Sequence, residues 1–291
     1  MTADNPIQAA YAAAHQLISW KRYKEALVEL EKILQQDPED ADAYALRARV
    51  FLKLNDYDKA LHETKEALKR SPEHQHAWFV LVGVYYETDK DHEFERALTE
   101  AQRIDPYEAH YFFLKANRLN KKGKFKESKE QLLLALELEP ETPIYLAMLS
   151  YQEALLGNDE ASRQLDREAI RYDAETSHVL LYLAWAASRR GDYDLQESYM
   201  RSAVRLNPES KQFQDEYLQA LQHSNKLYRM FLWPSRILRK MKAWQIWLAW
   251  IVAWFLFKPL ILLFILLYVI THWVTKAIVH VRVFGWRRRG S

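Results

Sequence analysis

His76, His110 and His178 are the residues of this 291-residue chain whose spacing most invites chemistry: 34 residues separate the first two, and 68 the last two. Imidazoles at a fixed period can ligate a metal, but only if they converge within about 2 Å of one ion. On neighbouring helices about 8–10 Å apart they stand too far from each other, so they read as histidines on the lip of a groove. The acidic pairs Glu39-Asp40 and Asp159-Glu160 fall in turns, where solvated carboxylates are ordinary. The six glycines form no phosphate loop, and no HExxH, GxSxG or kinase set occurs. With no cysteine there is neither a disulfide nor a thiolate metal site. The chain is expected not to be an enzyme and to carry no cofactor or metal.

The period itself is the stronger signal. Pro38, Pro72, Pro106, Pro140 and Pro208 fall on one 34-residue ladder, with Ala174 on the missing rung. Ala67, Ala101, Ala135, Ala169 and Ala203 stand five residues before the rungs, where two helices must approach closely. Gly123, Gly157 and Gly191 share a third register, with Asn55 and Asp89 on it as well. These are residue types that tolerate the positive φ ending a helix. A 34-residue period marks tandem helix-turn-helix units, each burying its apolar stripe only against its neighbours.

These residues resemble the tetratricopeptide repeat (TPR) family, whose pattern sets Trp, Leu, a small residue, Tyr, Ala, Phe, Ala and Pro at fixed places. The fullest copy, 75–108, carries Trp78, Leu81, Tyr85, Ala101 and Pro106, with Val82 and Phe94 departing from the pattern; elsewhere the small place holds Ala14, Ala48, Ala116, Ser150 and Ala184. The resemblance implies an all-α, right-handed α-solenoid of six helix hairpins, 7–40, 41–74, 75–108, 109–142, 143–176 and 177–210. Residues 211–226, with Phe213, Tyr217, Leu218 and Leu221 on one side, fit a capping helix.

In such a solenoid the groove lined by each unit's first (A) helix binds partners. Its positions here hold Tyr11, His15, Arg49, His76, Phe79, Tyr86, His110, Phe113, Asn117, Tyr151, His178, Tyr182 and Trp185. The binding set is Tyr11, Arg49, Phe79, Tyr86, Phe113, Asn117, Tyr151, Tyr182 and Trp185, more aromatic than charged and suited to an extended or helical apolar peptide. The Lys/Asn/Arg clamp by which some family members hold chaperone C-termini is not matched.

Charge splits the chain. Residues 1–225 hold all 39 acidic residues and 29 of 41 Lys/Arg, a net charge of −10; residues 226–291 hold 12 Lys/Arg, no acid and seven of ten tryptophans. Residues 227–242 read as a basic amphipathic helix, and 243–275 as a transmembrane or re-entrant segment of two apolar runs joined at Lys258-Pro259, before a basic tail, 276–291. Trp233, Arg236, Arg239, Lys240, Lys242, Trp244, Trp273, Arg287, Arg288 and Arg289 are expected at the membrane interface. Basic clusters on both sides favour a helical hairpin turning at Lys258-Pro259 over a single span. No secretory signal is read at the start, so the repeat domain is expected in the cytoplasm. The expected partners are a protein or peptide and anionic membrane lipids, not nucleic acid. The expected function is a membrane-anchored scaffold; the alternative is a lipid-binding or membrane-remodelling protein whose hairpin is active and whose repeats regulate it.

Overall fold

The computed structural model describes residues 6–173, 175–225 and 243–284. Among them it has fourteen helices and no strand. Twelve form pairs: α1 (Pro6–Ser19) with α2 (Tyr23–Gln36), α3 (Ala41–Lys53) with α4 (Tyr57–Arg70), and α5 (Gln75–Glu87) with α6 (Asp91–Ile104). Then follow α7 (Ala109–Lys121) with α8 (Phe125–Leu138), α9 (Pro143–Leu156) with α10 (Asp159–Tyr172), and α11 (Ser177–Arg190) with α12 (Tyr193–Leu206). Two more are α13 (Lys211–Ser224) and α14 (Ala243–Phe284). The architecture is an all-α TPR-type array of helix pairs.

One hydrogen-bond device ends the first helix of every pair. Residues 21, 55, 89, 123, 157 and 191 take positive φ, between 54° and 86°. At each, two backbone N–H groups turn back, as Gly157 does to the Ala154 carbonyl and Asn158 to that of Glu153. These bonds satisfy carbonyls the helix end would leave bare. The first of the six, Lys21, carries no sequence signal for positive φ; only its register gives it away. The second helices end before the Pro-containing link. There Ala67, Ala101, Ala135, Ala169 and Ala203 are all 0% exposed.

The chain divides into two compact units, residues 1–115 and 116–291. In the first, Ala14, Leu30, Ile33, Ala43 and Val50 join α1, α2 and α3 in one core. In the second, Leu180, Leu181, Met200 and Phe213 join α11, α12 and α13. Phe213 is buried while Asp215 and Gln219 face solvent or the next element, so α13 covers the apolar end of the array with a polar back.

The second unit also buries an ionic cluster. Arg190 ion-pairs with Asp166, their side chains 0% and 5% exposed. Ser150 donates to Asp166, Ser162 accepts from Arg190, and Arg190 Nε reaches Asp192 at 3.1 Å. Burial pushes the Asp166 carboxyl above its ordinary value, against the pull of Ser150 and Arg190. Three helices, α9, α10 and α11, are fastened by these groups.

The reversal expected at Lys258-Pro259 is absent. The backbone stays helical from Ala243 to Phe284, 42 residues. Proline removes one N–H, but Phe257 and Leu260 beside the pair offer no glycine or asparagine to turn the chain back. Near its C-terminal end α14 rests on α13, where Thr275 and Val279 are 2% and 7% exposed. The expected amphipathic helix at 227–242 and the tail arginines lie outside the described residues.

Candidate functional site

The groove positions behave differently in the two units. In the first, Tyr11 is a structural residue: its hydroxyl donates to Asp40 Oδ1 at 2.7 Å, and Asp40 also caps α3 by accepting from Ala43 N. Burial and the Asp40 carboxylate raise its phenol well above the ordinary value. His15 stacks on it from the exposed side.

On α3, α5 and α7 the groove residues converge. Ring follows ring from His76 to Phe79 (6.2 Å between centroids), Phe79 to His110 (5.4 Å) and His110 to Phe113 (5.5 Å). Two adjoining clefts open along this ladder. One, of about 370 Å³, is lined by Arg49, His76, Phe79 and Tyr111, with Asp105 and Glu108 at its edge. The other, of about 390 Å³, shares Arg49 and Phe79 and adds Leu52, Gly83, Tyr86 and His110, with Lys53 and Glu87 at its edge. Gly83 keeps this floor open, since a β-carbon there would meet Leu52 Cδ2 at 3.1 Å. Phe113, expected as an anchor in the groove, is only 8% exposed and packs inward, because its ring continues the ladder under His110. Lys53 and Glu87 were not among the groove positions read from sequence. They sit one residue past Leu52 and Tyr86 at the ends of α3 and α5, and that adjacency was the available signal.

His76 is held neutral. Its pKa is lowered to about 4, first by burial and then by the Arg49 charge. Its Nε2 is buried without a hydrogen-bond partner. Arg49 is half-buried and has no hydrogen-bond or ion-pair partner among the described residues.

In the second unit the corresponding residues engage one another. Tyr182 donates to Asn117 Oδ1 at 2.6 Å, from α11 to α7. Trp185 packs on Tyr151 (5.7 Å) and edge-on against Tyr182 (5.4 Å). It also hydrogen-bonds Glu216 of α13, whose carboxyl burial raises. His178 meets Phe213 edge-on. Among the described residues no three His, Asp or Glu side chains gather in a way that could hold a metal.

Of the expected interface residues, Trp244 and Trp273 are 62% and 66% exposed, with Lys276 over the Trp273 ring at 5.9 Å. Trp233, Arg236, Arg239, Lys240, Lys242, Arg287, Arg288 and Arg289 lie outside the described residues.

Helix pairs at this period with this turn device define a TPR protein. Tetratricopeptide repeat profiles match residues 17–65, 45–109 and 146–211, and the chain belongs to that family. Its members are in general non-enzymatic scaffolds that bind peptides or proteins. A search of curated proteins returns no match. Among solved structures, Pseudomonas aeruginosa pilF aligns with TM-score 0.58 at 23% identity, over 73% of this chain and 96% of its own. PilW, a widely conserved type IV pilus biogenesis factor, gives 0.59 at 19%, over 73% and 99%. The APC/C assembly Cut9-Hcn1 gives 0.60 at 18%, over 93% of this chain and 52% of the matched one. At these identities the likeness concerns the fold.

Proposed function

We propose that this protein is a membrane-anchored TPR scaffold that binds a protein or peptide on the A-helix face of its first unit and holds it at a bilayer, with the repeats on the cytoplasmic side. The observation that carries the anchor is Leu262–Val281, a helical stretch of 20 residues with mean hydropathy 2.0 and only 11% buried. A core helix of that composition would be covered by its own protein. This one leaves Leu262, Leu263, Ile265 and Leu266 half or more exposed, and length and hydropathy both suit a bilayer. Anionic lipid is the favoured surface, because the final 66 residues carry only positive formal charge.

The full-length protein is therefore expected to stay with membranes through alkaline carbonate extraction. Release by high salt alone would overturn the anchor, since salt screens headgroup attraction without undoing apolar insertion. For the scaffold role, a photo-crosslinking residue at Glu87, on the cleft edge, should trap a protein in native membranes. Trapping only from Lys65, on the exposed side of α4, would move the binding face elsewhere.

A further inference from the structure

Arg49 is unlike four other shielded arginines among the described residues. Arg47 holds Glu31 and Glu63, Arg70 holds Glu66, Arg163 holds Asp192, and Arg190 holds Asp166. A half-buried guanidinium is normally paired, because losing water without gaining an acceptor is costly. Arg49 has no such acceptor among the described residues, yet it stands where both clefts meet and shares each with Phe79. A second polar group in the first cleft is also unsatisfied, the buried Nε2 of His76. Two residues lining one aromatic-walled space, Arg49 and His76, thus carry polar groups without a hydrogen-bond partner among the described residues.

We propose that these clefts bind a peptide segment in which one Asp or Glu side chain adjoins a large apolar residue. The carboxylate pairs with Arg49, and the apolar side chain lies on Phe79 and Tyr86 over the floor opened by Gly83. Charge fixes the polarity of the seat. Lys53 stands beside the second cleft and reinforces Arg49, whereas Asp105 and Glu108 at the first cleft repel a second acid. One acid next to one bulky residue therefore suits the site better than an acidic run. The inference rests on the reading that this face binds a peptide, and it adds the chemistry of what is bound.

The test uses the full-length protein in detergent and a displayed library of random twelve-residue peptides, selected in parallel on wild type and on Arg49→Gln. Arg49 makes no hydrogen bond or ion pair among the described residues, so Arg49→Gln should melt with the wild type. Wild-type selection should enrich Asp or Glu beside Phe, Trp or Leu, and Arg49→Gln should lose the acid while keeping the apolar preference. A selected peptide should bind Arg49→Gln about tenfold more weakly, the size of a lost charge-assisted hydrogen bond. Its binding to wild type should raise the His76 pKa in an NMR titration, as the carboxylate offsets the Arg49 charge. Equal acid enrichment on both proteins, or no acid enrichment on wild type, overturns the proposal. Peptides that bind wild type without acid preference, and are lost in Tyr86→Ala, would leave the peptide-binding face standing and remove only the Arg49 seat. Selection of no peptide at all would sink both.

Discussion

The groove lies open around Arg49 and Phe79 in one unit and is closed around Tyr182 and Trp185 in the other. In residues 1–115, Arg49 has no hydrogen-bond or ion-pair partner among the described residues and His76 Nε2 is unsatisfied, at clefts walled by Phe79 and Tyr86. In residues 116–291, the groove rings spend their polar atoms on the protein: Tyr182 on Asn117, Trp185 on Glu216. Behind them, Arg190 and Asp166 are fully paired in the interior. A repeat position alone therefore does not make a binding residue. What distinguishes Arg49 and His76 from Tyr182 and Trp185 is whether the polar tip already has a partner.

The largest expected effect should separate the units. Asp166→Ala takes the buried carboxylate from Arg190, leaving it only Ser162 and the half-buried Asp192, and should cost about 3–5 kcal/mol in urea denaturation. Arg49→Ala, which breaks no internal pair, should stay within about 0.5 kcal/mol of wild type. Comparable losses from the two would erase the contrast. Where the units are built alike they should respond alike: an indole has no room at the close helix contact, so Ala67→Trp and Ala135→Trp should each cost about 1–3 kcal/mol or more. A variant melting with the wild type would show a wrong register in that unit. Tyr182→Phe, which removes only the hydroxyl given to Asn117, should cost about 1 kcal/mol; no loss would mean that the second unit's face is open after all.

The smallest effect is a pH dependence confined to the first unit. The folded pKa of His76 is near 4, below its ordinary 6.5. Between those values the unfolded chain binds more protons than the folded one, so stability falls as pH drops from about 6.5 towards 4. Burial and Arg49 set the shift, with His74 and His15 adding to it and Asp42 opposing. His76→Gln should flatten that part of the stability–pH curve; an unchanged slope would place the titration elsewhere.

The array was legible because its rules are local and repeated. Five of the six positive-φ positions hold Gly, Asn or Asp, and the alanines before each link mark the close contacts. Lys21 escaped because its side chain says nothing of its backbone. The site was legible only as a set of positions. Phe79, Phe113 and Tyr182 look equivalent in sequence, yet the structure leaves Phe79 along a cleft, buries Phe113 and ties Tyr182 to Asn117. Arg190, in the last turn of α11, reads as an ordinary charged helix end until α9 and α10 close over it. Charge on both flanks argued for a turn at Lys258-Pro259, but helix continuity through one proline is a local matter that flanking charge does not decide.

The resting place of α14 has a topological consequence. Val279, held at α13, lies 36 residues along the helix from Ala243, about 54 Å at 1.5 Å per residue. A bilayer core is roughly 30 Å thick. Were α14 to cross upright and straight with its docked end at the near surface, Ala243 would emerge on the far side. The connection from Asn225 would then have to follow it through, carrying the six Lys/Arg of residues 226–242, each costing about 2.5–3.5 kcal/mol in the bilayer centre. Chain continuity and the α13 contact together close a ring, and a membrane can be threaded through that ring only where the ring is opened.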